Sequence, residues 1–156
     1  MSQENSNENL YDVYVSYHID QKSQVENICN LFKDSGLRLW INNDSLKNFD
    51  QDLHALHQSC IFVCFLSKQY QKSIQNRIEY SIATEQRMRQ FNFCLEESIW
   101  EVKENKNTTY VDISKMSLID LSFVVKTIKN EANFISKTFK QSSKHAIESW
   151  YAEEFN

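Results

Sequence analysis

The sequence predicts an α/β domain, a parallel sheet of five strands with helices on both faces, continued by one unusually long C-terminal helix. Three observations carry this reading. Strand-like and helix-like segments alternate from Tyr11 to about Ile113, the order that builds a parallel sheet through crossover helices. Residues 60–66, Cys-Ile-Phe-Val-Cys-Phe-Leu, are apolar without interruption, as expected of a central strand covered on both faces. Finally, Leu118, Leu121, Val125, Ile128, Ala132, Ile135 and Phe139 step by 3 and 4 in turn, which is the spacing of a heptad seam.

The elements follow in order. Residues 11–17, Tyr-Asp-Val-Tyr-Val-Ser-Tyr, are β-branched and aromatic and form the first strand. Val25, Ile28, Cys29 and Phe32 recur at i, i+3, i+4 and i+7, a helix burying one face, and Gly36 stands where a left-handed terminal residue is wanted. Residues 37–41 give a second strand, and the polar loop 42–50 leads into a short helix over about 51–58. After the third strand, Ile74, Ile78 and Ile82 step by four with Ala83 beside them, predicting a helix to about Gln90 whose narrow buried stripe they form. Residues 91–95 and 108–113 supply the fourth and fifth strands. A crossover helix needs only half the length of the final seam, so its second half must pack on the domain, on Trp150, Tyr151 and Phe155, or on another copy. The organisation expected is a polar leader over 1–10, the domain over 11–130 and a helical extension over 131–156.

Composition narrows the chemistry. The chain has 156 residues, one domain's worth, and a net charge of −4, so it lacks the Lys and Arg excess that displaces counterions from nucleic acid or holds an acidic membrane. No apolar run approaches the roughly 20 residues that cross a bilayer, and the first residues are polar where a secretory signal is basic then apolar, so a cytoplasmic location is expected. Cys29, Cys60, Cys64 and Cys94 are too scattered for a disulfide framework and read as reduced thiols. With a single Gly and no Pro, no glycine-rich phosphate loop or nucleophile elbow exists. His54 and His57 share a helix face, but no third ligand accompanies them, so no metal is expected. A phosphorylation receiver would need Asp at the end of the third strand, where Leu66 and Ser67 stand. In a sheet of this kind ligands sit beyond the carboxyl ends of the strands, in the loops after Tyr17, Ile41 and Leu66.

The segments Tyr11-Asp12-Val13-Tyr14-Val15-Ser16-Tyr17, Gly36-Leu37-Arg38-Leu39-Trp40-Ile41, Ile61 to Tyr70 with Leu66-Ser67-Lys68-Gln69-Tyr70, and Ser73 with Arg77-Ile78-Glu79 and Ala83 together resemble the Toll/interleukin-1 receptor (TIR) domain, and stand-alone TIR proteins in particular. The resemblance covers about residues 11–128. It implies a flavodoxin-like three-layer fold and intracellular signalling, often immune, through assembly with other TIR domains, copies of itself included. In a subset of the family it also implies cleavage of NAD+ at the nicotinamide ribose bond, with NAD+ as substrate and no cofactor. Glu79 matches the catalytic glutamate of that subset. Such a reaction suits one carboxylate, because nicotinamide leaves as a neutral group and the carboxylate favours an oxocarbenium-like transition state.

Around Glu79 the resemblance implies substrate contacts from His18, as a donor to phosphate, Trp40, as a platform for base or ribose, and Ser67 and Tyr70. The loop after the second strand, with Asn43, Asp44, Leu46 and Phe49, corresponds to the family's assembly loop. Glu79 follows Ile78, taken as buried, near a helix start, which predicts a carboxylate at the crevice rim whose truncation leaves stability unchanged. The chain departs from the family at Asn76, where Cys is usual, and at Tyr80 and Ser81, where Gly and a second acid are found in related members. His18-Ile19-Asp20 stands where active members often place Arg, and the loop 42–50 has neither Gly nor Pro. The alternative is a catalytically inactive adaptor that works by association alone.

Overall fold

The computed structural model describes residues 10–42, 48–96 and 106–155, with side chains to residue 138. The elements are β1 (Tyr11–Ser16), α1 (Lys22–Asp34), β2 (Leu39–Ile41), α2 (Phe49–His57), β3 (Ser59–Leu66), α3 (Lys68–Lys72), α4 (Ile74–Glu85), β4 (Arg89–Cys94), β5 (Thr108–Asp112) and α5 (Leu118–Phe155). The five strands form one parallel sheet in the order β2-β1-β3-β4-β5, the doubly wound arrangement expected. The order reverses between β1 and β3, which is where such folds open a crevice.

Alternation along each strand divides the interior into two layers. Val13, Val15, Ile61, Val63, Phe65, Phe91 and Phe93 face α1 and α5, whose Val25, Ile28, Cys29, Phe32, Val125, Ile128 and Ala132 complete a hydrocarbon core. Tyr14, Phe62, Cys64 and Leu66 face the other way, toward α2, α3 and α4. That second layer also takes in polar side chains: Ser16, Gln90 and Asn92 are buried among them. Asn92 accepts from the Cys64 thiol at 3.0 Å and the Gln90 amide at 2.9 Å, and its own amide donates to the Tyr80 hydroxyl at 3.2 Å. All four cysteines are free, and burial pushes the Cys29 thiol up to about 12.

Gly36 terminates α1 with a φ of +89°, the left-handed geometry its position demands. Arg38, just before β2, clasps Asp12 of β1 at 3.1 Å. Ser73 closes α3 and caps α4, its hydroxyl accepting from the Asn76 N–H, so the chain turns there instead of continuing one helix. α4 ends at Glu85, short of Gln90, and a residue with positive φ, Arg87, leads into β4.

The stripe expected of α4 holds only at its end, where Ala83 is buried and Ile82 packs against the core. Ile74 is 74% exposed and Ile78 38%, and the residues turned inward are Asn76, Glu79 and Ala83. The physical reason lies in the two polar anchors. The Asn76 amide donates to the Tyr17 carbonyl at 3.1 Å and the Ser16 hydroxyl at 3.4 Å, and Glu79 accepts from Asn42; these bonds fix the rotation of the helix and leave Ile74 and Ile78 outside.

α5 is a single helix of 38 residues, longer than expected, continuous across residue 130. The middle of its seam packs on the domain: Val125, Ile128 and Ala132 are buried in the core, with Val124 and Ile135 against it, whereas Leu118 at the first turn is 71% exposed and Phe139 lies outside the described side chains. Glu131 receives Arg89 at 3.0 Å, and the Lys129 ammonium reaches the Ser35 carbonyl at the end of α1. The polar leader over 1–9 and the loop residues Asn43, Asp44 and Leu46 lie outside the described residues.

Candidate active site at the sheet's switch point

Three chain segments bring polar side chains to the carboxyl end of β1. Tyr14 and Ser16 alternate with Val13 and Val15 and so point to the α4 side. Tyr14 is level with Trp40 of β2, and the Asn42 N–H donates to the Val15 carbonyl at 3.1 Å, which sets Asn42 beside them at the strand's end. From α4, Glu79 reaches into this group and is 1% exposed.

The Asn42 amide donates to both carboxylate oxygens of Glu79, at 3.1 and 3.2 Å. Burial pushes the Glu79 carboxyl up to about 7, opposed by the hydroxyls of Tyr14 and Ser16 and the amide of Asn42, and helped by the Asp52 charge. A carboxyl in that range exchanges its proton near neutral pH, the property expected of an acid or base at work there. The Asn42 carbonyl oxygen is buried without a hydrogen-bond partner among the described residues, and the buried Tyr14 hydroxyl has the Glu79 carboxyl as its polar neighbour. Burial also raises the Tyr14 and Tyr70 hydroxyls, so both are neutral donors at any physiological pH.

Two of the residues expected around Glu79 belong to its surroundings. Tyr70 is buried and its hydroxyl pairs with Ser16 Oγ at 2.8 Å, and Ser67 is buried as the cap of α3, accepting from the Tyr70 N–H at 3.1 Å. Both brace the group; their side chains are spent on these bonds. Trp40 is anchored from two sides. Its indole N–H donates to the buried Asp52 at 2.9 Å and its ring meets Tyr11 edge-on at 5.4 Å. With His54, Gln51 and Asp50 it walls a cavity of about 340 Å³ that Glu79 does not line. His18 is half-buried and accepts from the Asp20 N–H through Nδ1 at 3.2 Å, capping a short 3₁₀ turn. Phe49 is the first residue of α2 and half-buried.

The expectation that Glu79 stands at the rim is overturned, because its carboxylate lies inside the domain and bonds a partner 37 residues away in sequence. The sequence reading missed Tyr14, Ser16, Asn42 and Asp52. The alternation of β1 held a signal for the first two; for Asn42 and Asp52 only the folded arrangement supplies one. No group of three His, Cys, Asp or Glu among the described residues could hold a metal, and His57 is bonded to Gln86 instead.

A doubly wound parallel α/β domain with a buried glutamate from the fourth helix at its switch point defines the class of protein. A family model, TIR domain, matches residues 13–122, and the chain belongs to that family. Solved structures similar to it include the TIR domain of the Toll-related receptor TRR-2 from Hydra magnipapillata, at TM-score 0.60 and 17% identity over 76% of this chain and 98% of that one. A response regulator receiver domain protein from Bacillus halodurans matches at TM-score 0.52 and 16% identity, over 76% of this chain and 96% of that one. These likenesses are of fold, and the receiver's chemistry does not carry over, since β3 ends in Leu66 and is followed by Ser67. None of the curated proteins matches the chain.

Proposed function

We propose that this domain is an intracellular signalling module that works by associating with other TIR domains, copies of itself included. The observation that carries the reading is the outer face of α4. Ile74 and Ile78 stand in solvent beside Arg77, Ser81, Ile82 and Glu85 around a shallow cavity of about 390 Å³. Exposed large apolar side chains grouped on one face and rimmed by charge are the mark of a binding surface. Ile74→Asp, at a position 74% exposed, is expected to leave the thermal midpoint within about 2 °C and to weaken capture of a second TIR domain in a pull-down at least tenfold. Undiminished capture overturns this surface.

A second reading, NAD+ cleavage by the same domain, is favoured by Glu79. Its sequence context resembles that of the family's catalytic glutamate, and burial raises its carboxyl to about 7. In the reaction Glu79 would orient the ribose hydroxyls and favour positive charge developing on the ribose as nicotinamide leaves. For that, Asn42 must release the carboxylate it holds. Nicotinamide release from NAD+ by the concentrated protein, absent in Glu79→Gln, is the expected result. A chain that releases none in any assembled state is an adaptor alone.

A further inference from the structure

A cavity of about 330 Å³ lies between α3 and α4, lined by Tyr70 and Gln71 of the first and by Arg77, Tyr80 and Ser81 of the second. It is separate from the crevice of Glu79, which does not line it: at about 100° per residue Arg77 stands roughly 160° around α4 from Glu79. The hydroxyls of the two tyrosines are committed elsewhere, Tyr70 to Ser16 at 2.8 Å and Tyr80 to Asn92 at 3.2 Å, so these residues are walls. The other three side chains are uncommitted. Among the described residues the Arg77 guanidinium, the Gln71 amide and the Ser81 hydroxyl enter no hydrogen bond or ion pair. We propose that this cavity binds the phosphate group of a small phosphate monoester, with Arg77 as the anchoring charge. Such a site goes beyond both association through α4 and chemistry at Glu79.

The local charge selects an anion. From Ser67 to Thr84 the cations are Lys68, Lys72 and Arg77, while the one carboxylate, Glu79, is buried and turned the other way. The residues three and four positions from Arg77 are Ser73, Ile74, Tyr80 and Ser81, so no ion pair along its own helix neutralises it. Glu85, the next acid, lies about 12 Å further along α4 and does not line the cavity. In a chain with a net charge of −4 this is a local reversal of sign. The donors then select phosphate over carboxylate. A guanidinium offers a fork of two parallel N–H groups, which the two oxygens of a carboxylate already fill. A phosphate monoester brings three acceptor oxygens and nearly twice the charge, and so uses the fork together with the Gln71 amide from α3 and the Ser81 hydroxyl from α4. The volume is at the small end of ligand pockets, enough for a phosphate carrying a body the size of a sugar.

Titration of the isotope-labelled full chain with ribose 5-phosphate at low salt, followed by backbone amide and arginine Nε chemical shifts, tests this. The expected result is saturable shifts at Gln71, Arg77, Tyr80 and Ser81 with a dissociation constant at or below about 1 mM. Inorganic phosphate is expected to shift the same residues, ribose to shift none, and acetate to bind at least tenfold more weakly than the ester. Arg77→Gln weakens binding of the ester at least tenfold, and Arg77→Lys, which keeps the charge and loses the fork, falls between. Both variants leave the thermal midpoint unchanged, because Arg77 is exposed. Ile74→Asp and Glu79→Gln leave the binding as it was, so failure here is told apart from failure of the α4 surface or of NAD+ cleavage. Shifts that do not saturate, that gather at Lys68 and Lys72 without reaching Arg77, or that survive Arg77→Gln overturn the proposal, and so does acetate that binds as well as the ester.

Discussion

Glu79→Gln is expected to make the folded domain more stable at pH 8 by about 3 kcal/mol and to leave it nearly unchanged at pH 4. The folded carboxyl titrates at about 7, above its ordinary 4.5, because burial disfavours the charged form. The folded state therefore holds the proton more tightly than the unfolded chain. That contribution is fully present below about pH 4.5 and is lost as pH rises through 7, where the domain must carry an ionised carboxylate inside it. Gln removes the ionisation and keeps an oxygen to accept from Asn42. Denaturant unfolding of both proteins at pH 4, 6 and 8 checks the sign. A difference that does not grow with pH would mean that Glu79 is better solvated than its burial indicates.

The second large effect belongs to Ile128→Ala. Ile128 is fully buried where α5 meets β1 and β3, so truncation leaves a cavity that the surrounding sheet cannot close, at a cost of 2–5 kcal/mol by the usual range for such changes, about 10 °C in the thermal midpoint. Phe123→Ala, on the same helix but in solvent, should move the midpoint of the dilute monomer by no more than about 2 °C. The contrast in one helix separates the face that holds the domain together from the face offered outward. Equal losses at the two positions would show that both faces pack within one chain.

Much of the architecture was legible because apolar residues declare themselves locally. The unbroken run of β3 and the i, i+3, i+4, i+7 pattern of α1 needed no partner to be read. α4 was misread for the converse reason. Ile74, Ile78 and Ile82 make a convincing stripe, yet the rotation of the helix is set by hydrogen bonds from Asn76 and Glu79 to residues 37 to 60 positions away. A polar residue buried through distant partners leaves no periodic trace. Glu79 itself was picked out by resemblance and not by pattern, and its depth in the domain followed only when β1, β2 and α4 were seen together. For α5, the seam named the residues that pack from Val125 to Ile135, but its first member, Leu118, is exposed, and the opposing Phe123 and Phe134 stood outside it.

The sheet's two sides are built of different material, hydrocarbon against α1 and α5, amides and hydroxyls threaded among aromatics against α2 and α4. Parting a hydrocarbon layer exposes it to water with nothing in return, whereas amides and hydroxyls exchange one hydrogen-bond partner for another. The side with exchangeable polar partners is the one holding Glu79. A small molecule or a proton reaching that carboxylate would need no loosening of α5, so whatever happens in the crevice can proceed while the long helix remains seated.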